Sequence, residues 1–282
     1  MATFATSDQL LVIIDPAARY TDGESVRIAK DVLSAGATTK VCLPEGPEEF
    51  ARALGRRGSR RPVVVGDDRA LVRAVTLLHR HRELAGCALS VVPVGDAVLA
   101  ESLGVPTGTV AAARAVLDGA ERRLDLLVDD SDGVVLGALG IPPAPMRAVS
   151  AEPVSVTSGH PWLRTRYRSL VRTLAPRPTR LAAVPAPGPS RLRVEVDGAT
   201  IVDLDQPVEA VSVSPGVRGV AEVEVRPLSL GAAATPLRAS GRSVTVVGTD
   251  FRYRADAAVS GPVRRRTWRV VEGAWGLVLP SA

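Results

Sequence analysis

Four short apolar runs, each followed by a stretch of helical spacing, fill the first 120 residues, and no other feature of the chain constrains its fold as strongly. LLVIID (10–15), TKVCL (39–43), PVVVG (62–66) and ALSVVPVG (88–95) read as strands. ESVRIAKDVLSAG (24–36) places Val26, Ala29, Val32 and Leu33 on one helical face and stops at Gly36. PEEFARALGRRG (47–58) opens with acidic residues and closes with arginines, the polarity that a helix dipole favours. DRALVRAVTLLHRHREL (68–84) repeats the apolar spacing at Leu71, Val72, Val75 and Leu78, and VLAESLGV and TVAAARAVLDGA add two more helices. Strands alternating with helices across short connections predict a parallel sheet covered by helices, with ligands beyond the carboxyl ends of the strands. Residues 1–121 are expected to form this α/β domain.

The pattern then changes. RRLDLLVDDSDGVVLGAL (122–139) reads as a hairpin turning at Ser131-Asp132-Gly133. Residues 141–161 are rich in proline, WLRTRYRSLVRTLA (162–175) has helical spacing, and 176–189 carry five prolines and read as a linker. From Arg191 onward, RLRVEVDG, ATIVDL, VEAVSVSPG, AEVEVRPL, SVTVVG, FRYRAD, RTWRVV and GLVLP alternate with turns. Residues 122–282 are thus expected to form an all-β sandwich domain with one helix at 162–175.

Composition excludes several classes. No apolar run reaches 18 residues, so no transmembrane helix is expected, and the N-terminus lacks the basic start of a signal peptide. A cytoplasmic location follows as the expectation. Cys42 and Cys87 each sit in an apolar run and read as buried thiols, and His79, His81 and His160 show no metal-ligand spacing. The formal charge is +5, carried almost wholly by arginine, because Lys30 and Lys40 are the only lysines. Only 3% of residues are aromatic, which argues against a base-stacking nucleic-acid binder. The clusters Arg56, Arg57, Arg60 and Arg61, then Arg164, Arg166 and Arg168, then Arg264 to Arg266, read as solvated faces of an arginine-biased chain. Their alternative reading is a surface for an anionic membrane, where each basic group contributes about 1 kcal/mol.

VVVGDDRAL (63–71) is a strand, a tight turn and a helix start, which is a natural anion site because free amides and the helix dipole both favour phosphate. Such loops ordinarily carry glycines, which let backbone approach the phosphates. Here Gly66 is followed by Asp67, Asp68 and Arg69. A carboxylate about 4 Å from a phosphate oxygen costs roughly 4 kcal/mol at an effective dielectric of about 20, unless Mg²⁺ or Arg69 screens it. The plain alternative is that Asp67 or Asp68 caps the helix.

In the order of its pieces the chain resembles the bacterial diacylglycerol kinase and lipid kinase family, whose nucleotide domain is similar to that of NAD kinases. The first strand of the family ends in Asn-Pro, and here Asp15-Pro16 stands there, followed by Ala17 and Ala18. Its phosphate loop GGDGT-L is matched by Gly66, Asp67, Asp68, Arg69, Ala70 and Leu71. Its P-x-GTxND…S-L-G-[IV]-P segment is matched by Pro93-Val94-Gly95 and by Ser102-Leu103-Gly104-Val105-Pro106. The intervening DAVLAE (96–101) is one residue short and lacks the Thr, Asn and Asp. AARAVLDGAERRLDLLVDD (112–130) follows its Arg-x-x-Asp strand, with Asp125 at the Asp, and Asp256-Ala257-Ala258 stands at its late Asp-Gly-Glu.

The resemblance implies ATP and Mg²⁺ as cofactors and a lipid hydroxyl as acceptor. It assigns catalytic roles to Asp68 and Asp256, and cofactor contacts to Asp15, Pro16, Gly66, Asp67, Arg69, Gly95 and Asp96. The scaffold motifs match well and the chemical ones are mostly altered. Phosphoryl transfer depends on positioning and charge stabilisation, so joint loss of these groups is expected to be severe. The leading expectation is a lipid-kinase-like protein with impaired catalysis and a binding or regulatory role. The alternatives are an active ATP-dependent kinase of a diacylglycerol- or sphingosine-type hydroxyl, and a module that binds a membrane surface or a protein.

Overall fold

The computed structural model describes residues 9–143, 190–229 and 235–281. The described residues belong to one compact unit. The helix expected at 162–175 and the arginines within it lie outside the described residues.

The strands β1 (Gln9–Ile14), β2 (Thr38–Cys42), β3 (Arg61–Gly66) and β4 (Ala88–Pro93) pair in parallel in the order β4-β3-β1-β2. Period-2 geometry sends alternate side chains of β1 to opposite faces. Leu11 and Ile13 join one core cluster, and Leu10, Val12 and Ile14 join another. The first cluster is closed by α3 (Pro47–Gly55) and α4 (Asp68–Arg80) through Phe50, Leu54, Leu71, Val75 and Leu78. The second is closed by α2 (Gly23–Gly36) and α6 (Thr109–Asp118) through Val26, Ala29, Leu33, Ala112 and Val116. The sequence spacing predicts the faces of α2 and α4, while those of α3 and α6 emerge from the structure; burial of both sheet faces explains why β1 and β3 are unbroken apolar runs.

Two helices differ from expectation. Helix α1 (Pro16–Thr21) was not foreseen: Pro16 opens it and the Asp15 side chain caps it by accepting from the Ala17 amide. α4 ends at Arg80 rather than at residue 84, because Arg82 takes φ +59 and Glu83 N turns back to the Leu78 carbonyl.

The hairpin at 122–139 forms as β5 (Ala120–Asp129) against β6 (Val134–Val135), its turn held by the Asp129 carboxylate. Burial pushes the Asp129 carboxyl up, but hydrogen bonds from Ser131 and Gly133 outweigh it and hold the group below its ordinary value. The chain then adds β7 (Leu139–Ile141), β8 (Ser190–Val196), β9 (Ala199–Val202), β10 (Pro207–Pro215), β11 (Ala221–Pro227), β12 (Leu237–Gly241), β13 (Ser243–Ala255) and β14 (Ala258–Leu279). FRYRAD is the far end of β13, beyond a bulge, and RTWRVV and GLVLP are parts of the single strand β14.

β14 carries the hydrogen-bonded path across the expected boundary at residue 121. Its first half pairs with β13, while Gly276 and Leu277 run parallel to Ala88 and Leu89 of β4. β5 follows it on the other side, from Asp129 opposite Trp268 to Ala120 opposite Leu279. The Asp125 carboxylate holds the irregularity in this pairing, accepting from Gly273 N and Gly219 N at 2.8 Å each. Asp125, picked out in the sequence, is therefore a backbone clamp. No described helix is long and apolar enough to cross a membrane.

Candidate functional site

The site lies beyond the carboxyl ends of β3 and β4, where a parallel sheet presents its loops. β3 ends at Gly66, and Asp67, in extended conformation, caps α4 by accepting from Ala70 N at 3.0 Å. The capping alternative thus holds for Asp67. Asp68 opens α4, donates its own amide to the Asp96 carbonyl, and is 5% exposed. Its carboxylate crosses to α5 (Val98–Ser102) and accepts from Leu99 N at 2.7 Å and Ala100 N at 3.0 Å.

Gly66 is glycine for a packing reason. A Cβ there would lie 2.8 Å from Ala70 Cβ and 3.0 Å from Asp15 Cβ. Asp15 follows β1, and its second oxygen takes the Arg73 guanidinium of α4 at 2.6 Å, beneath which lies the Phe50 ring. Gly95 is held at φ +96, a conformation that other residues rarely adopt.

Asp256 arrives from the opposite direction, in the turn between β13 and β14 at φ +46. Only 1% exposed, it accepts from Leu136 N at 2.7 Å, Gly137 N at 2.8 Å and Ala138 N at 3.1 Å. Burial pushes its carboxyl up to about 6, against the three amides and with a further push from Asp68. Burial likewise raises the Asp68 carboxyl, despite its two amides, with Asp96 and Asp67 adding to the rise.

Asp67, Asp68, Arg69, Asp96 and Asp256 line one cleft of about 440 Å³, together with Val98, Arg254 and Ala257. The fold therefore gathers five of the nine residues singled out in the sequence. Gly66 does not line this cleft, and Gly95 lines a neighbouring one of about 360 Å³. Asp15 and Pro16 line neither, because Asp15 is turned to Arg73 and to the cap of α1.

Sequence reasoning missed Arg254. Its one signal was proximity, two residues before Asp256, since Asp256 lies in the turn past the end of β13, where strand alternation no longer applies. The amides of Leu136 to Ala138 carried no signal, since backbone donors have no sequence signature.

Solved structures share this architecture. A structure assigned as a diacylglycerol kinase of Bacillus anthracis str. Sterne aligns with a TM-score of 0.68 at 14% identity, covering 96% of this chain and 97% of that one. The chain has the diacylglycerol kinase fold. A second structure so assigned in that organism gives 0.67 at 14% identity, and a third, a diacylglycerol kinase, gives 0.60 at 11%, both with the same coverage. No family model and no curated protein matches the sequence. Identity this low carries the diacylglycerol kinase fold without its chemistry.

Proposed function

We propose that this diacylglycerol-kinase-fold protein is impaired in phosphoryl transfer and uses its cleft for binding or regulation. The commitment of its two retained carboxylates supports this reading best. Every oxygen of Asp68 and Asp256 already accepts a backbone amide, and both side chains are almost wholly buried. Such carboxylates act as clamps between loops. In the altered phosphate loop, the Ala70 amide is taken by Asp67 and the Asp68 amide by the Asp96 carbonyl.

The residues present do not fit a triphosphate that lacks a screening cation. Four aspartates against two arginines line the cleft, so a triphosphate would meet net repulsion. Among the described residues no group of three or more His, Cys, Asp or Glu is placed to hold a metal ion. No catalytic step is derived through either.

The test is transfer of labelled phosphate from Mg-ATP to a panel of diacylglycerols and sphingoid bases, with thermal unfolding read alongside. The expected result is no labelled lipid above the enzyme-free control and a Tm change below about 1 °C at millimolar Mg-ATP. Ready phosphorylation of any lipid in the panel overturns the reading.

One observation favours the active-kinase reading: Asp256, lifted to about 6, lines a cleft whose volume lies in the range of small-molecule sites. As a general base it would require transfer that rises with pH through about 6 and disappears in Asp256→Asn. Absence of transfer at every pH rejects it.

A further inference from the structure

β2 departs from the rule that strands of a parallel sheet are covered on both faces. β1, β3 and β4 each bury five consecutive residues, whereas every residue of β2 is exposed or half-buried. β2 also ends the sheet: among the described residues it pairs only with β1, so its outer row of amides and carbonyls faces outward. Helix α3 packs Phe50 and Leu54 over Leu11 and Ile13 of β1 and leaves a groove of about 320 Å³ beside β2. Half-buried Cys42, exposed Leu43 and Ala53 give this groove an apolar floor.

Its rim is cationic. Lys40, at the centre of β2, and Arg56, at the end of α3, form no ion pair among the described residues. The one acidic lining residue, Glu49, is already engaged, accepting from Glu45 N at 2.9 Å and pairing with Arg52 at 3.5 Å. A lysine in the middle of an open edge opposes self-pairing, since a second copy related by a two-fold axis at its centre sets Lys40 against Lys40. The same charge attracts a carboxylate. An open strand edge offers hydrogen bonds that a lipid surface does not use in register.

We propose that the β2 edge and the α3 groove receive an extended acidic segment of a partner protein, added as a strand beside β2. Main-chain bonds to the edge supply affinity. Alternate side chains supply selectivity, with apolar ones over Cys42, Leu43 and Ala53 and carboxylates at Lys40 and Arg56.

The test uses the full chain and a fluorescent peptide repeating Glu-Ser-Val-Ser, which sets Glu and Val in turn on one face of a strand, with a Lys-Ser-Val-Ser peptide as its counterpart. Anisotropy is expected to show binding of the Glu peptide that weakens with salt. Amide exchange across Thr38–Cys42 is expected to slow on binding. Lys40→Glu with Arg56→Glu is expected to weaken that peptide about tenfold or more and to gain binding of the Lys peptide. The charge swap keeps the test decisive even if the double variant is less stable. Lack of peptide binding, binding indifferent to the charge reversal, or unchanged exchange at β2 overturns the proposal. So does self-association abolished by Lys40→Glu, or binding only to phosphatidylserine vesicles.

Discussion

Replacing Asp256 with asparagine separates a buried ionisable clamp from a merely polar one. The carboxylate is 1% exposed, accepts three amides, and is pushed from an ordinary 3.8 up to about 6 by burial. That gap corresponds to about 3 kcal/mol between the two protonation states. Between these two values the folded chain keeps a proton that the unfolded chain has lost. The stability that Asp256 contributes is therefore complete below about pH 4, declines as pH rises to about 6, and is level above it. This slope opposes the usual acid destabilisation, and Asp256→Asn, which does not ionise, removes it. At neutral pH the carboxamide NH₂ faces at least one amide donor, for a loss of about 1–3 kcal/mol. At pH 4 the deficit relative to the parent is expected to grow by up to about 3 kcal/mol, because the parent no longer bears the buried charge. Urea unfolding of both proteins between pH 4 and pH 7, followed by the fluorescence of buried Trp268 and Trp275, measures the difference. A deficit equal at all pH values, or one that shrinks toward acid, refutes a buried carboxyl lifted above its ordinary value.

Two other changes test the loop itself. Gly66→Ala is expected to cost about 1–3 kcal/mol in urea unfolding, since the new methyl meets Ala70 Cβ at 2.8 Å and Asp15 Cβ at 3.0 Å. Unchanged stability would mean that the turn has room for a ligand there. Arg73→Met keeps much of the side chain beside Phe50 but leaves the 6%-exposed Asp15 side chain without its cation. With Arg73 itself 35% exposed, a loss of about 1–2 kcal/mol in thermal unfolding is expected, and no loss would mean that solvent replaces the pair.

Local periodicity made the first 120 residues legible. The spacing of Leu71, Val75 and Leu78 is the same object in the sequence and in the buried face of α4. The N-cap reading of Asp67 was equally local, because a cap reaches only three residues along the chain. Elements spanning less than two full periods were not legible: α1 has six residues and β7 three, and β12 lacks strong alternation.

The sequence by itself determined that α4 and the four parallel strands form and where α4 begins, and placed Asp68 and Asp256 at positions matching a kinase family. Only the tertiary structure decided what those carboxylates do. Asp68 meets amides 31 and 32 residues away and Asp256 meets amides 118 to 120 residues away, partners with no side-chain identity to read. The extent of β14 was decided in the same way. RTWRVV and GLVLP become one strand because β5 runs alongside both, and hydrogen bonding to a neighbour extends a strand through residues whose own pattern suggests a break.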